Sequence, residues 1–184
     1  MIRTGANPFE EASFTLANRI ARGLWAAAYH LLFRWTPRPL HAVRATMLRV
    51  FGAKLGRNCH IYPTARIWAP WNLAMGDEAC LASDVICYSM APIRIGDRAV
   101  VSQGAHICAG THDYEDPKFQ LIALPITIGA RSWICAEAFI GPGVTIGEGC
   151  VVGARAVVTK AMPAWMVCAG NPCRPIKPRK VRHG

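Results

Sequence analysis

Residues 128–147 read IGARSWICAEAFIGPGVTIG, and their spacing decides the fold. Ile128, Ile134, Ile140 and Ile146 recur every six residues, and four positions after the first three stand the short side chains of Ser132, Ala138 and Val144. Worked outward, the same unit begins at Leu55, Ile61, Ile67, Met75, Leu81, Cys87, Ile95, Val101 and Ile107, and again at Val152 and Val158. The fifth positions stay small throughout, with Trp71 and Met162 as the bulky exceptions. Grouped in threes, the units start at Leu55, Met75, Ile95, Ile128 and Ile146, each followed by glycine.

A six-residue unit with one inward aliphatic and one small residue is a short strand and a tight corner, and three such sides close a triangular prism. Each coil buries its apolar side chains only against the coils above and below, so the units must stack as parallel strands about 4.8 Å apart. The expected fold is an all-β solenoid of about five coils over 55–163, after an N-terminal helical segment (1–54) and before a basic C-terminal tail (164–184). Two-residue insertions precede Met75 and Ile95, and 15 residues, Asp113 to Thr127, must leave the prism after the third coil as a loop. Long loops in a regular solenoid are usually functional.

Composition narrows the function. The chain of 184 residues carries a net charge of +10, of which residues 1–57 contribute nine Lys/Arg against two acids, residues 174–184 five against none, and the middle seven against nine. Basic ends on a near-neutral body, without aromatics interleaved among the bases, argue against nucleic acid. They suit anionic lipid at the N-terminal end and a phosphate-bearing ligand at the other. No apolar run is long enough to span a bilayer and no cleavable signal pattern opens the chain, so the expected location is cytoplasmic. The eight cysteines include no C-x-x-C pair, and six lie within the repeat, where they read as small buried hydrophobes.

From Phe14 to Phe33, Leu16, Ile20, Leu24, Ala27, Ala28 and Leu31 fall at helical steps. Leu40, Val43, Met47 and Val50 define a second helix beyond Thr36-Pro37-Arg38-Pro39. The pair suits a cap on the open end of the solenoid. With Arg19, Arg22, Arg44, Arg49 and four aromatics, it also suits an anionic membrane surface.

Position in the repeat sorts the six histidines. His30 and His41 lie in the helical segment, His183 in the tail, and His60 and His106 end ordinary units. His112 ends a unit at the start of the long loop, in Gly110-Thr111-His112-Asp113-Tyr114, where a rigid coil and a covering loop place a general base. Together with Pro125-Ile126-Thr127-Ile128-Gly129, Trp133-Ile134, Pro142-Gly143-Val144-Thr145-Ile146-Gly147, Val158-Thr159-Lys160 and Ala169-Gly170-Asn171-Pro172, this turn resembles the hexapeptide-repeat O-acetyltransferases. Within them the chain is similar to the galactoside and maltose acetyltransferases, and most of all to the colanic acid biosynthesis acetyltransferases of bacterial polysaccharide clusters.

That resemblance implies a left-handed parallel β-helix, a homotrimer and acetyl-coenzyme A between subunits. Position alone would not give the hand, since crossovers are normally right-handed. It also implies an acetyl transfer to a sugar hydroxyl in surface-polysaccharide biosynthesis, with His112 as base. Trp133 would sit beside the acetyl-donor cleft, Ala136 and Ala154 along the pantetheine, Thr159 and Lys160 along the coenzyme's later course, and Arg174 at a coenzyme phosphate. Ser83, Asp84, Asp113 and Tyr114 are the candidates to meet a sugar or lipid-linked sugar acceptor. Ala82 stands where galactoside acetyltransferases carry an acceptor-binding asparagine, which sets the acceptor apart from theirs.

Other readings stay open. An acetyltransferase of serine or an antibiotic would use the same parts, and a non-catalytic rod would need only the prism. Zinc chemistry of the γ-carbonic anhydrase kind lacks its H-x4-H spacing here, so no metal is expected, and Cys108 as an acyl carrier competes with its reading as a small turn residue.

Overall fold

The computed structural model describes residues 9–181; His183 and the first eight residues, Arg3 among them, lie outside that range. Three parallel faces form the prism. The first holds Lys54–Leu55, Leu73–Met75, Ile93–Ile95, Ile126–Ile128 and Thr145–Ile146. The second holds His60–Ile61, Cys80–Leu81, Val100–Val101, Trp133–Ile134 and Val151–Val152, and the third Arg66–Ile67, Ile86–Tyr88, His106–Cys108, Phe139–Ile140 and Val157–Val158. Register follows the repeat: Ile61 pairs with Leu81 and Val101 with Ile134, so inward aliphatics stack on aliphatics. Ile61, Leu81, Val101, Ile134 and Val152 are fully buried, as are Cys87, Ile107, Ile140 and Val158 on the third face.

The glycine that follows each coil's first aliphatic is required by crowding. A Cβ on Gly96 would lie 2.4 Å from the Ala130 nitrogen, and one on Gly129 2.5 Å from that of Glu148. Neither contact can relax, because the neighbour is backbone of the next coil. The corners between the first two faces turn through left-handed residues, Asn58, Glu78, Arg98 and Arg131, whose exposed side chains pair between coils, Arg98 with Glu78 and Arg131 with Glu148.

Four expectations change. The solenoid passes five coils: Met162 bridges to Ile146, and Met166–Gly170 adds a parallel strand on Val151–Val152, giving about six turns. Cys173–Pro178 then folds back antiparallel on it, so most of the expected tail is a hairpin closing the upper end. Cys168 supplies the buried inward position, and the basic residues occupy the outer strand, where charge discourages further pairing. The expected loop 113–127 is instead the tip of a hairpin arm, Gly110–His112 against Leu121–Ala123. Ile126 and Thr127 are already back in the first face, with Ile126 fully buried opposite Ile93. Trp71 is no corner residue; it sits in a 3-10 turn, Pro70–Asn72, that absorbs one of the two-residue insertions.

Helix α1 (Leu16–Leu31) starts at Thr15, whose hydroxyl accepts from the Asn18 N–H, and α2 spans His41–Val50. Both lie under the first coil and satisfy its unpaired carbonyls, one face at a time. Arg49 donates to Leu55 and Gly56 (2.7 Å) on the first face. Arg44 and His41 Nδ1 (2.9 Å) meet the Ile61 carbonyl on the second, and Trp25 Nε1 donates to Ile67 on the third at 2.6 Å. The helices bury the side opposite to the one their apolar spacing suggested. Trp25, Arg44, Ala45 and Leu48 face inward, whereas Leu16, Ile20, Leu24, Leu31, Val43 and Val50 are exposed, and of the expected apolar positions Ala28 and Met47 pack partly against the core. The reason is chemical: the first coil presents carbonyls, so the cap turns donors toward it. Arg44 is fully buried and also donates to Thr36 Oγ1 (2.7 Å), Pro37 O (2.8 Å) and Arg38 O, so it is not available to a membrane.

Candidate active site

His112 ends the outgoing strand of the arm, opposite Leu121. Its ring lies flat on Phe119, centroids 4.3 Å apart and planes 12° apart, and its Nδ1 is 2.9 Å from the Phe119 carbonyl. A carbonyl only accepts, so Nδ1 carries the proton and Nε2 keeps its lone pair. The arm thereby fixes both the tautomer and the ring plane. Phe119 sits at φ 49°, a left-handed conformation that aims its carbonyl back across the tip. Nothing in the sequence marked Phe119, because its part is played by main chain.

The other described histidines are occupied. His41 stacks on His60 at 4.8 Å and has its pKa lowered, chiefly by burial. His106 packs edge-on against Phe139 at 5.5 Å, and burial lowers its pKa too.

The remaining candidates divide between two edges of the prism. Thr159 and Lys160 are exposed on the corner between the third and first faces, two coils above the root of the His112 arm. On that arm Asp113 is spent locally: its N–H donates to Gln120 O (2.8 Å) and its carboxylate accepts from the Glu115 N–H (3.1 Å), while Tyr114 stands 83% exposed. Trp133 lies on the second face, 47% exposed, with Nε1 donating to Ser102 Oγ at 2.9 Å. Ser83, Asp84, Ala136 and Ala154 line the next corner, between the second and third faces. Among the described residues the N–H groups of Ala136 and Ala154 carry no hydrogen bond, and Ala136 O accepts from Arg155. Arg174 is exposed on the closing hairpin opposite Ala169, its Nη1 on its neighbour's carbonyl at 3.0 Å.

The chain therefore holds His112 on one edge and the row of open backbone donors on another. Of the solenoid's tryptophans Trp68, Trp71 and Trp133, only Trp133 is open: Trp68 is covered by Phe14 (5.2 Å), Tyr88 (5.7 Å) and the Arg22 guanidinium (4.5 Å), and Trp71 is half-buried. Cys108 is half-buried with its thiol on the Gly110 carbonyl (3.3 Å). Burial raises the pKa of the other seven thiols, Cys87 and Cys150 to about 12. Among the described residues no three His, Cys, Asp or Glu side chains gather as a metal would need.

Comparison with known proteins agrees with the repeat and the solenoid. Residues 125–160 match the bacterial transferase hexapeptide model of six repeats. The chain is 44% identical over 166 residues, 90% of its length and 91% of the relative's, to the Escherichia coli protein named "Putative colanic acid biosynthesis acetyltransferase WcaF". It is 28% identical to the E. coli galactoside O-acetyltransferase, over 73% of this chain and 68% of that one. Among solved structures, a maltose O-acetyltransferase from Clostridium difficile superposes with a TM-score of 0.83 at 28% identity, over 91% of this chain and 90% of that one. A Vibrio cholerae hexapeptide-repeat acetyltransferase solved with acetyl-coenzyme A shares the fold, with a TM-score of 0.81 at 23% identity over 92% and 93% of the two chains. Repeat, solenoid and near-full-length similarity converge: this chain belongs to the hexapeptide-repeat acetyltransferases, built on the left-handed parallel β-helix.

Proposed function

We propose that this protein transfers acetyl from acetyl-coenzyme A to a sugar hydroxyl during assembly of a bacterial surface polysaccharide, with His112 as general base. The observation that carries the reading is the Phe119 carbonyl on His112 Nδ1, which leaves Nε2 to accept a proton. The sugar oxygen attacks the thioester carbonyl as Nε2 takes its hydrogen. The tetrahedral intermediate, its oxyanion facing an open backbone N–H such as that of Ala136, collapses to the ester. The departing coenzyme thiolate then recovers the proton from the imidazolium.

The two-edge layout supports a homotrimer. Threefold packing sets one copy's His112 edge against its neighbour's Trp133, Ala136, Ala154 and Arg174, and the cleft between them takes the coenzyme, with Thr159 and Lys160 farther along it. Ser83 and Asp84 would reach the acceptor from the same cleft.

Coenzyme A release, measured with sugars, nucleotide sugars, polyprenyl-linked sugars and serine as acceptors, tests the reaction and its class. His112→Ala should lower turnover by about 10²- to 10⁴-fold with coenzyme affinity unchanged. Full activity in that variant would sink the mechanism, and serine as the best acceptor would sink the polysaccharide role.

A second reading concerns location, and the outward side of the cap favours it. Leu16, Ile20, Leu24 and Leu31 form an exposed stripe along one side of α1, turned away from the buried Trp25, joined by exposed Leu32, Trp35, Leu40, Val43 and Val50 and flanked by exposed Arg19, Arg34 and Arg38. An apolar stripe edged with arginines suits a peripheral seat on the anionic inner face of the cytoplasmic membrane. No helix among the described residues is long and apolar enough to cross a membrane. Ile20→Ser with Leu24→Ser should abolish co-sedimentation with anionic vesicles. An unchanged pellet would refute the seat, and so would a fall in oligomer size without loss of vesicle binding, which assigns the stripe to a second copy.

A further inference from the structure

The arginines of this chain are mostly spoken for. Arg57, Arg98, Arg131 and Arg155 each pair with a carboxylate, and Arg44, Arg49 and Arg179 donate to carbonyls. Arg34 and Arg66 are different. The first lies only over the ring of its neighbour Trp35, at 5.6 Å, and the second makes no side-chain hydrogen bond among the described residues. Though 32 residues apart in sequence, both line one pocket of about 270 Å³ with Tyr29, His30, Thr64 and Asp84. Both act electrostatically on the Tyr29 hydroxyl, whose pKa burial raises and they oppose.

The pocket opens into a second, of about 370 Å³, which shares Tyr29, His30 and Arg66 and is walled by Trp25, Ala26, Ile67 and Trp68. Two unpaired guanidiniums beside a single carboxylate leave a net positive site with fork geometry for phosphate oxygens. The Asp84 carboxylate forms no ion pair among the described residues, and Thr64 Oγ1 already accepts the Asp84 N–H at 3.0 Å, leaving its hydrogen to donate. Such a set matches a ligand with phosphates and hydroxyls together, and the aromatic annex offers an apolar continuation.

Location connects the pocket to the chemistry. Arg66 is in the first coil of the third face and His106 in the third coil, two strand spacings or about 10 Å higher. Thr64 and Asp84 sit at the corner between the second and third faces, across the third face from the edge where the same chain's His112 arm leaves. In the trimer proposed above that corner faces the neighbouring copy's His112 arm, so a phosphate held below directs an attached sugar upward toward the neighbour's base.

We propose that Arg34 and Arg66, with Tyr29, His30, Thr64 and Asp84, form a diphosphate subsite, so that the acceptor is a glycosyl diphosphate rather than a free sugar. This rests on the acetyl-transfer reading but is tested apart from it. Calorimetric titration of the full chain with inorganic pyrophosphate should show binding that Arg34→Gln with Arg66→Gln weakens about tenfold or more, while Arg94→Gln, on the first face, leaves it unchanged. The same double variant should raise KM for glycosyl diphosphates by a similar factor and leave KM for methyl glycosides and acetyl-coenzyme A alone. Arg34→Lys with Arg66→Lys should recover part of the affinity. Nucleoside-diphosphate sugars and short polyprenyl-diphosphate sugars, run in parallel, identify which source fills the annex. Absence of pyrophosphate binding, equal weakening by Arg94→Gln, or equal KM changes for free and phosphorylated sugars would each overturn the subsite. Pyrophosphate binding lost in the double variant, with no acetyl transfer to any acceptor, would uphold the subsite and refute the transfer.

Discussion

Arg44→Met keeps the length of a buried side chain and deletes its donors, which makes it a measure of what the cap contributes. Arg44 is fully buried and donates to four oxygens, those of Ile61, Thr36, Pro37 and Arg38. The Ile61 carbonyl keeps His41 Nδ1 at 2.9 Å and the Pro37 carbonyl keeps the Leu40 N–H at 3.1 Å. The Arg38 carbonyl and the Thr36 hydroxyl lose their only side-chain donor. Two orphaned acceptors at about 1–3 kcal/mol each, offset by relief of a buried charge whose pKa burial already lowers, give a net loss of about 2–4 kcal/mol. Urea unfolding at fixed protein concentration, followed by circular dichroism for the solenoid and by tryptophan fluorescence for the cap, reads it. Both signals should shift together, because the cap covers the lowest strand edges. A loss below about 1 kcal/mol, or a solenoid midpoint unmoved while the cap frays, would refute the coupling of cap to prism.

Other outcomes follow from the same geometry. Gly129→Ala forces a Cβ to 2.5 Å from backbone and should cost about 2–3 kcal/mol, whereas Gly23→Ala, with nothing within 4 Å on α1, should stabilise by about 0.5–1 kcal/mol; paired urea midpoints compare them. The folded pKa values of His41 and His106 are lowered, so the unfolded chain binds more protons below its ordinary histidine pKa of about 6.5. Their stabilisation is complete above that pH and is lost as pH falls from there through the lower folded values, which melting curves between pH 7.5 and about 5 would display. Phe119→Ala removes the ring stacked on His112 but not the carbonyl behind it, so kcat should fall by about tenfold at most and far less than in His112→Ala.

The sequence carried the prism because its constraints are local and repeated: an inward aliphatic every sixth residue, a small corner, and a glycine wherever two coils meet. His60 and His106 end units too, so singling out His112 as the candidate base needed its place at the start of the long insertion as well. What failed to show was set by partners far along the chain. The helical stripe pointed the wrong way because apolar periodicity assumes that a helix buries its greasiest side, and here the surface beneath it is a row of carbonyls. The C-terminal strands hid behind their charges, and Ile126 and Thr127 behind an insertion whose two sides zip into a hairpin. The hydrogen bond that His112 Nδ1 donates to the Phe119 carbonyl uses main chain and leaves no trace in residue type.

Every departure from the six-residue count falls at one edge of the prism. The 3-10 turn at Pro70–Asn72, the extra residues before Ile93–Ile95 and the arm that carries His112 all branch from the passage between the third and first faces. At the edge between the first and second faces, coils are locked by backbone contacts at the Gly96 and Gly129 positions and by inter-coil ion pairs, so added length there would shear the stack. The molecule thus has a closed hinge-line and an open seam. New loops, whether acquired in evolution or inserted by design, enter along the seam, and they enter beside His112, so the surroundings of that residue can be rewritten without recasting the rod.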